Sequence, residues 1–156
     1  MTDRDDLVRR TIDLARAARD AGDHPFGALL AVDGEVLVEA RNRVTTSSDL
    51  TAHAETELVR EAERAGLLPR LADGVVVAST EPCPMCMGAL FWAGARHIVF
   101  GLRASRLNRL STAPGAAPYG FTISAAELAA ATTSPPLVEG PFVEDEAAAV
   151  HDGFWF

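Results

Sequence analysis

Two periods of hydrophobic and polar residues run along this chain, and each predicts a different kind of element. Over residues 4–21, apolar and small side chains recur every three or four positions with charged residues between them, which predicts a helix that Gly22 ends. Residues 53–65 repeat this pattern as far as Gly66. Both segments are therefore expected to be amphipathic helices with one buried face.

Short apolar runs without helical spacing predict five strands. The runs cover residues 26–32, 35–40, 75–79, 97–101 and 137–143. Asp33-Gly34, between the first two runs, is typical of a tight hairpin turn. The small apolar residues 85–93 predict a buried helix between the third and fourth strands, and this order indicates a parallel crossover. The pattern as a whole predicts an α/β fold.

Loops and short helices are expected to fill the rest of the chain. Residues 42–49 are polar and residues 111–120 are rich in Pro and Gly, so both segments are interpreted as loops, the second one mobile. A capping-box pattern and a run of acidic residues predict short helices at 125–131 and 144–150. Pro141 lacks an N–H group, which favours an edge position for the last strand.

The length of 156 residues fits one domain, and we expect a single domain over residues 1–156 with an aromatic tail at 151–156. The last three residues of this tail are the aromatic Phe154, Trp155 and Phe156. Large aromatic side chains bury much apolar area. The tail is therefore expected to pack against the body of the protein or against a neighbouring chain.

Charge and hydropathy limit the possible partners. The formal net charge is −8, whereas proteins that bind nucleic acid usually present a basic face, so a nucleic-acid partner is not expected. Four arginines cluster locally, at Arg96, Arg103, Arg106 and Arg109, and we interpret them as a solvated face. The amino terminus is charged and no apolar run approaches the roughly 20 residues of a membrane span, which favours a cytoplasmic location.

Four residues in two short motifs carry the chemistry. Residues 53 to 55 read His-Ala-Glu, and residues 82 to 86 read Pro-Cys-Pro-Met-Cys. His53, Cys83 and Cys86 supply three ligands suited to zinc, whereas a structural zinc site would use four protein ligands. The fourth position is then left for water, and the spare carboxylate of Glu55 can move that water's proton. The sequence therefore predicts a hydrolytic zinc site.

The placement of these residues supports the same interpretation. The two cysteines lie where a buried strand is expected to end and a helix to begin, and amide groups at a helix start favour the thiolate form that binds metal. A Cys-x-x-Cys motif in this position is also typical of thioredoxin-like redox proteins. A zinc module without catalytic activity is a further alternative. The upstream His53 favours zinc over redox chemistry, and Glu55 favours an enzyme over an inert module.

At these motifs the chain resembles the cytidine-deaminase-like superfamily of zinc deaminases. The resemblance extends from His24-Pro25-Phe26-Gly27-Ala28 to the last predicted helix, and it is most specific at His53-Ala54-Glu55 and at Thr80-Glu81-Pro82-Cys83-Pro84-Met85-Cys86. It implies a three-layer α/β/α sandwich with a five-stranded mixed sheet. It also implies that His53, Cys83 and Cys86 bind Zn²⁺ and that Glu55 shuttles protons.

The resemblance also implies residues for the substrate. Asn42 matches an asparagine that hydrogen-bonds the base or ribose, and Phe26 matches a residue that lines the base pocket. We add Ala54, His24 and Trp155 as candidate substrate contacts. Ala54 lies between the motif residues His53 and Glu55, His24 borders the expected pocket, and Trp155 belongs to the aromatic tail. Family members are commonly dimers, so a homodimer is expected.

Within the superfamily, the motif block is most similar to that of bacterial guanine deaminases. We therefore expect hydrolytic release of ammonia from a free purine-type base or nucleoside. Guanine deaminases tend to carry an acidic pair after a Gly-Phe that follows the fourth strand, but here Gly120-Phe121 is followed by Thr122-Ile123. A modified purine, a cytosine or cytidine substrate, and tRNA adenosine accordingly stay open as alternatives.

Overall fold

The computed structural model describes residues 3–156, and a five-stranded mixed sheet lies at its centre. The first two positions of the expected domain 1–156 lie outside the described residues. The strands are β1 (Gly27–Val32), β2 (Glu35–Arg41), β3 (Val75–Thr80), β4 (His97–Leu102) and β5 (Leu137–Glu139). Their order across the sheet is β2-β1-β3-β4-β5. All five predicted strands are therefore present.

Strand direction changes in the middle of the sheet. β1 pairs antiparallel with β2 and with β3, whereas β3, β4 and β5 are mutually parallel. Asp33 and Gly34 join β1 to β2 with φ angles of 53° and 81°, and this left-handed backbone matches the twist of a two-residue hairpin. The predicted hairpin and the predicted parallel crossover are both confirmed.

Helices cover both faces of the sheet. They are α1 (Arg4–Asp20), α2 (Val44–Ser47), α3 (Ala54–Arg64), α4 (Pro84–Trp92), α5 (Ala104–Leu110), α6 (Ala125–Ala130) and α7 (Glu144–Ala149), with a 3₁₀ turn at Leu68–Leu71. One face of β1 presents Leu30 to the core side that holds α3, α4 and α6, and the other presents Leu29 to the side that holds α1 and α7. The fold is thus a three-layer α/β/α sandwich, as predicted.

Two segments differ from the sequence-based expectation because their stabilising partners lie outside the segment. Residues 42–49 were expected to be a loop, but they contain α2, whose amides at Thr45 and Thr46 donate to the Asp23 carboxylate at 3.0 and 2.8 Å. α5 was not predicted either. Its first amide, at Ala104, donates to the Glu81 carboxylate at 2.8 Å.

The last strand is shorter than predicted. It was expected over residues 137–143 but ends at Glu139, where β5 pairs only with β4. Pro141 offers no N–H group to continue the ladder, and Val143 has a left-handed backbone with φ of 44° that turns the chain into α7. The predicted edge position of this strand is confirmed.

Strand direction also determines where the functional residues meet. Because β1 runs antiparallel to its two neighbours, its first residues lie at the sheet edge where β2 and β3 end. Phe26 immediately precedes β1, and Asn42 immediately follows β2. Their backbones are joined there by a 3.0 Å hydrogen bond from the Asn42 amide to the Phe26 carbonyl. This edge carries the site described below.

The described helices are also informative about membranes. Within residues 3–156, none of them combines the length and the apolar character that crossing a bilayer requires.

Close packing of α1 on β1 leads to a stability prediction. A Cβ atom on Gly27 would lie 2.5 Å from the Leu14 Cβ and 2.9 Å from the Ala15 amide nitrogen, so the helix would have to move. We expect Gly27→Ala to lower the free energy of unfolding by about 1–3 kcal/mol, measured by chemical denaturation. Gly88→Ala is the matched control, because a Cβ there meets nothing within 4 Å and alanine favours a helix. Equal stability of Gly27→Ala and the native chain would contradict this account.

Candidate metal centre and adjoining cavity

The three predicted ligands come from the starts of two helices. His53 is the N-cap residue of α3, and Cys83 is the N-cap residue of α4. Cys86 lies in the first turn of α4, where a spacing of three residues brings it to the same side as Cys83. β3 leads directly into α4, so the parallel crossover places these cysteines beside the edge at which Phe26 and Asn42 meet.

The donor atoms already lie at separations that suit zinc. The His53 Nδ1 is 3.7 Å from the Cys83 Sγ and 3.5 Å from the Cys86 Sγ. All three donor atoms lie within 4.8 Å of one another. Zinc bonds of about 2.0 Å to nitrogen and 2.3 Å to sulfur, at a tetrahedral angle, require a nitrogen–sulfur separation of about 3.5 Å. The residues present therefore fit a zinc ion without rearrangement.

The two thiols are chemically unequal. Hydrogen bonds from Cys86 and then from His53 lower the pKa of Cys83 to about 4, even though burial opposes that shift. The hydrogen bond to Cys83 raises the pKa of the Cys86 thiol, and burial raises it further. Both cysteines are free thiols and form no disulfide. The cluster thus stabilises one thiolate, which is the form that binds metal.

Glu55 lies in the first turn of α3 beside the three donors. Glu55 is only 6% exposed, and its side chain lines a cavity together with His53 and Cys83. Burial raises the pKa of its carboxyl group above the usual value. The cluster of three donor residues, among those described, does not include Glu55. The carboxylate therefore lies next to the centre as an additional group, and its predicted role in proton transfer stays a prediction.

A small cavity adjoins the metal centre. Its volume is about 100 Å³, and its walls are formed by Phe26, His53, Glu55, Thr80, Glu81, Cys83 and Leu107. Pockets for drug-sized ligands usually measure about 300–1,000 Å³. The space beside the ligands consequently suits a small molecule.

Asn42 is held in one orientation at the end of β2, where its backbone amide bonds the carbonyl of the wall residue Phe26. The residue is 1% exposed, and its Oδ1 atom accepts a 3.0 Å hydrogen bond from the Val44 amide at the start of α2. An asparagine side chain also carries two N–H donors on Nδ2. With the oxygen engaged by the backbone, the Nδ2 group is the part of Asn42 that can serve a substrate.

The aromatic tail packs on the body of the protein, as expected. Trp155 donates from Nε1 to the His151 Nδ1 at 3.3 Å, and the two rings stack with centroids 6.0 Å apart. His151 in turn lies 5.3 Å from the Phe26 ring, centroid to centroid, and its burial lowers its pKa to about 4. Arg19 of α1 fastens this segment by donating to the Val150 carbonyl at 2.8 Å. The tail is thus connected through Phe26 to the wall of the cavity.

Of the five predicted substrate residues, the structure places one in the cavity wall, Phe26. Asn42 and Ala54 are buried at the end of β2 and the start of α3 but are not wall residues. His24 and Trp155 are not wall residues either. The ring centroids of His24 and Trp155 lie 5.6 Å apart, and that of Trp155 lies 6.1 Å from that of Phe26, so His24 is connected to the Phe26 ring through Trp155.

Three wall residues were missed by sequence reasoning: Thr80, Glu81 and Leu107. Two polar residues, Ser79 and Thr80, end an otherwise apolar strand, and this was the available signal for Thr80. Leu107 lies on α5, the helix that the arginine-rich sequence concealed. In the structure, Arg103 and Arg106 pair with Glu144 and Asp145 at 2.9 and 2.7 Å.

Glu81 connects the metal loop to the elements around it. Its two carboxylate oxygens accept 2.8 Å hydrogen bonds from the first amides of α5, at Ala104, and of α6, at Ala125. Negative charge at the start of a helix is stabilising. One side chain, two positions before Cys83, therefore fixes the starts of both helices relative to the metal centre.

A metal centre with three protein donors, an adjacent buried carboxylate and a small cavity defines a hydrolytic enzyme of the zinc type. Comparison with known proteins gives the family. Residues 1–102 match the model of the cytidine and deoxycytidylate deaminase zinc-binding region. The chain belongs to this family, and it is a zinc-dependent deaminase that hydrolyses a C–N bond other than a peptide bond.

Relatives with different substrates match the chain. It is 39% identical to a probable cytosine deaminase of Schizosaccharomyces pombe, over 95% of this chain and 90% of that one. It is 40% identical to the guanine deaminase of Bacillus subtilis, over 60% of this chain and 61% of that one. A solved structure from a study of A-to-I editing by tRNA:A34 deaminases aligns with a TM-score of 0.72 and 28% identity, over 92% and 97% of the two chains. These relatives are all named as deaminases, but the base in their names differs.

Loss of one sulfur ligand provides a test of the metal centre. We expect Cys83→Ala to weaken zinc binding by more than about 100-fold, because even loss of an outer partner of a ligand costs 10–100-fold. Elemental analysis after dialysis should then find about one zinc per native chain and almost none in the variant. His97→Gln is the control, since His97 pairs with Glu139 away from the centre and its variant should keep its zinc. Full zinc content in Cys83→Ala would exclude Cys83 as a ligand.

Proposed function

We propose that the substrate is a free amino-substituted nucleobase, rather than a nucleoside or tRNA. The observation that carries this proposal is the cavity of about 100 Å³ beside the metal centre, with the Phe26 ring and Leu107 among its walls. A single heterocyclic ring suits a space of this size, whereas an attached ribose or polynucleotide needs additional room. The family chemistry supplies the reaction, which is hydrolytic loss of ammonia.

The charge distribution supports the choice of a small substrate over tRNA. The net charge is −8, and a protein that binds a polyanion usually concentrates positive charge on one face. Arg103 and Arg106 come from the one arginine-rich stretch, but they are paired with Glu144 and Asp145 of α7. Their charge is thus largely compensated within the chain.

Among free bases, an aminopyrimidine such as cytosine is our first candidate. The small cavity favours one ring over two, and the probable cytosine deaminase of S. pombe matches nearly the whole chain. A purine such as guanine, which the motif block favoured, is the second candidate. Its support is the B. subtilis guanine deaminase and the aromatic Phe26, which could stack on a two-ring base. The absence of an acidic pair after Gly120-Phe121 weighs against guanine.

Each site residue receives a role in this proposal. Phe26 packs against the ring of the base, the Asn42 Nδ2 group donates to a polar atom on its edge, and the Ala54 amide at the start of α3 offers a second donor. His24 and Trp155 act from behind Phe26 and hold it in place, together with His151. These contacts orient the carbon that bears the amino group toward the metal centre.

Glu55 carries the protons. His53, Cys83 and Cys86 would hold the zinc ion, which when bound lowers the pKa of water toward about 7 and so supplies a nucleophile at neutral pH. Glu55 accepts a proton from the water as its oxygen bonds to the carbon that bears the amino group, and it delivers this proton to the ring nitrogen. It then accepts the remaining proton of the new hydroxyl group and passes it to the amino group, so that the C–N bond breaks as the C=O bond forms and ammonia leaves. The buried position of the carboxylate excludes bulk water from this transfer. Ammonia and the corresponding oxo-base are the products.

An assay of ammonia release tests the function. We expect the zinc-loaded protein to release ammonia from cytosine or guanine and much less from cytidine, guanosine, adenosine or tRNA. Glu55→Gln should keep its zinc but lose about 10²–10⁴-fold in kcat, because removing a general acid/base typically costs that much. Glu57→Gln is the matched control: Glu57 is equally buried, but it pairs with Arg60 and does not line the cavity. Release from nucleosides or tRNA but from no free base would refute the proposal.

We also propose that two copies associate through α4 and α6. An apolar groove of about 450 Å³ runs between these helices, lined in part by Met87, Phe91 and Leu128. Trp92 borders it and is 85% exposed, which is unusual for so large an aromatic side chain. A second copy would cover both, since family members are commonly dimers.

Sedimentation velocity measures this association. We expect the native chain to sediment as a dimer and Trp92→Glu to sediment as a monomer, because a buried unpaired charge opposes association. Tyr119→Glu is the control, as Tyr119 is also exposed, at 95%, but does not line the groove. A native chain that is monomeric at assay concentrations would overturn the dimer proposal.

Finally, we propose that residues 1–156 act as one deaminase domain in the cytoplasm. Both hydrophobic clusters pack against the same sheet, which supports a single domain. Metal binding requires Cys83 and Cys86 in the reduced state, and the cytoplasm maintains that state.

A further inference from the structure

Thr80 presents an unusual hydroxyl group to the cavity. It is the last residue of β3, it is only 3% exposed, and it lines the cavity together with His53, Glu55 and Cys83. Its Oγ1 atom has no hydrogen-bond partner among residues 3–156, and the His151 Nε2 is the other buried side-chain atom there of which this is true. The hydroxyl is therefore buried, polar and available at the metal-binding end of the sheet.

The unpaired hydroxyl group of Thr80 is unfavourable for the stability of the fold. Leaving a buried hydrogen-bonding group unpaired destabilises a protein, whereas valine has almost the same shape and no hydroxyl. β3 uses valine at three of its other positions, Val75, Val76 and Val77. The neighbouring Ser79 is satisfied, because its Oγ accepts a 3.1 Å hydrogen bond from the Gly27 amide. Of the two hydroxyls at the end of β3, only that of Thr80 is unpaired.

We propose that the Thr80 hydroxyl is a specificity-determining group that hydrogen-bonds a polar edge atom of the bound base. A hydroxyl can both donate and accept, so it can pair with a ring N–H or with an exocyclic carbonyl oxygen. Glu55 serves the amino group and Asn42 lies at the end of β2, so Thr80 contacts the base from a third element, β3. This inference rests on the proposed function, since it assumes that a free base occupies the cavity.

The chemistry of the pairing explains why the group would select among bases. A site that holds a hydrogen-bonding group for the substrate rejects an analogue that lacks the matching atom, because the protein group is then left unpaired. Phe26 and Leu107 offer only apolar contact and discriminate mainly by size. The Thr80 hydroxyl adds a polar requirement to that size limit.

Kinetics of Thr80→Val test the proposal. We expect KM for the preferred base, cytosine or guanine, to rise about 3- to 10-fold, which corresponds to one neutral hydrogen bond. The ratio of kcat/KM for the preferred base over an analogue that lacks the matching polar edge atom should fall by a similar factor. Thr80→Ser keeps the hydroxyl and should stay within about 2-fold of the native KM.

Two further measurements separate a substrate contact from a structural role. In the Glu55→Gln background, which binds the base without turning it over, calorimetry should show the same 3- to 10-fold loss of cytosine or guanine affinity when Thr80→Val is added. The free Thr80→Val protein should melt a few degrees higher than the native protein, because an unpaired hydroxyl has been removed. Thr11→Val is the control: its buried hydroxyl donates to the Val8 carbonyl at 2.7 Å, so its loss should lower the melting temperature and leave KM unchanged.

The outcomes are distinguishable from a failure of the proposed function. If the native protein releases ammonia from a free base but Thr80→Val matches it in KM and in affinity, the hydroxyl does not contact the base and the inference is wrong. A lower melting temperature with unchanged affinity would assign Thr80 a structural role and overturn it equally. If the native protein acts on no free base, the proposed function itself has failed, and this inference fails with it.

Discussion

The antiparallel pairing of β1 with both of its neighbours is the constraint on which the site depends. It brings the start of β1 to the edge where β2 and β3 end, so that Phe26, Asn42 and Thr80 meet although 54 positions separate the first from the last. The crossover after β3 then adds the two thiols, and α3 adds His53 and Glu55. Backbone pairing in the sheet thus positions Phe26, Asn42 and Thr80, whereas the starts of α3 and α4 position the metal donors and Glu55.

The sequence was sufficient for the features that depend on local chemistry. Asp33-Gly34 determines its hairpin by its own backbone preference, and the spacing of Cys83 and Cys86 determines that both thiols face one side of α4. The features that it did not reveal depend on partners distant in sequence. The first amides of α2 donate hydrogen bonds to the Asp23 carboxylate, and the first amide of α5 donates to the Glu81 carboxylate. The residues of each helix alone therefore do not predict it. Leu107 was missed as a wall residue for the same reason, because its helix was not expected.

The metal centre and the choice of substrate are determined by different parts of the chain. His53, Glu55, Cys83 and Cys86 perform chemistry that relatives acting on different bases have in common, so these residues carry no information about the base. In our proposal that information lies in the walls: the Phe26 ring supported by His151 and Trp155, Leu107 on α5, and the hydroxyl at the end of β3. These wall groups come from separate elements and can vary independently of the centre.

Glu81 has a consequence for how such a protein can diverge. Because its carboxylate holds the first turns of α5 and α6, the stretch between them is anchored on both sides to the loop that carries Cys83. Insertions, deletions or wholesale replacement between Leu110 and Ser124 would then remodel this surface stretch without disturbing the reaction centre, and lengthening a surface loop has a small entropic cost. A single acidic side chain can in this way make the stretch an evolutionary module, exchanged as a unit while the catalytic apparatus stays intact.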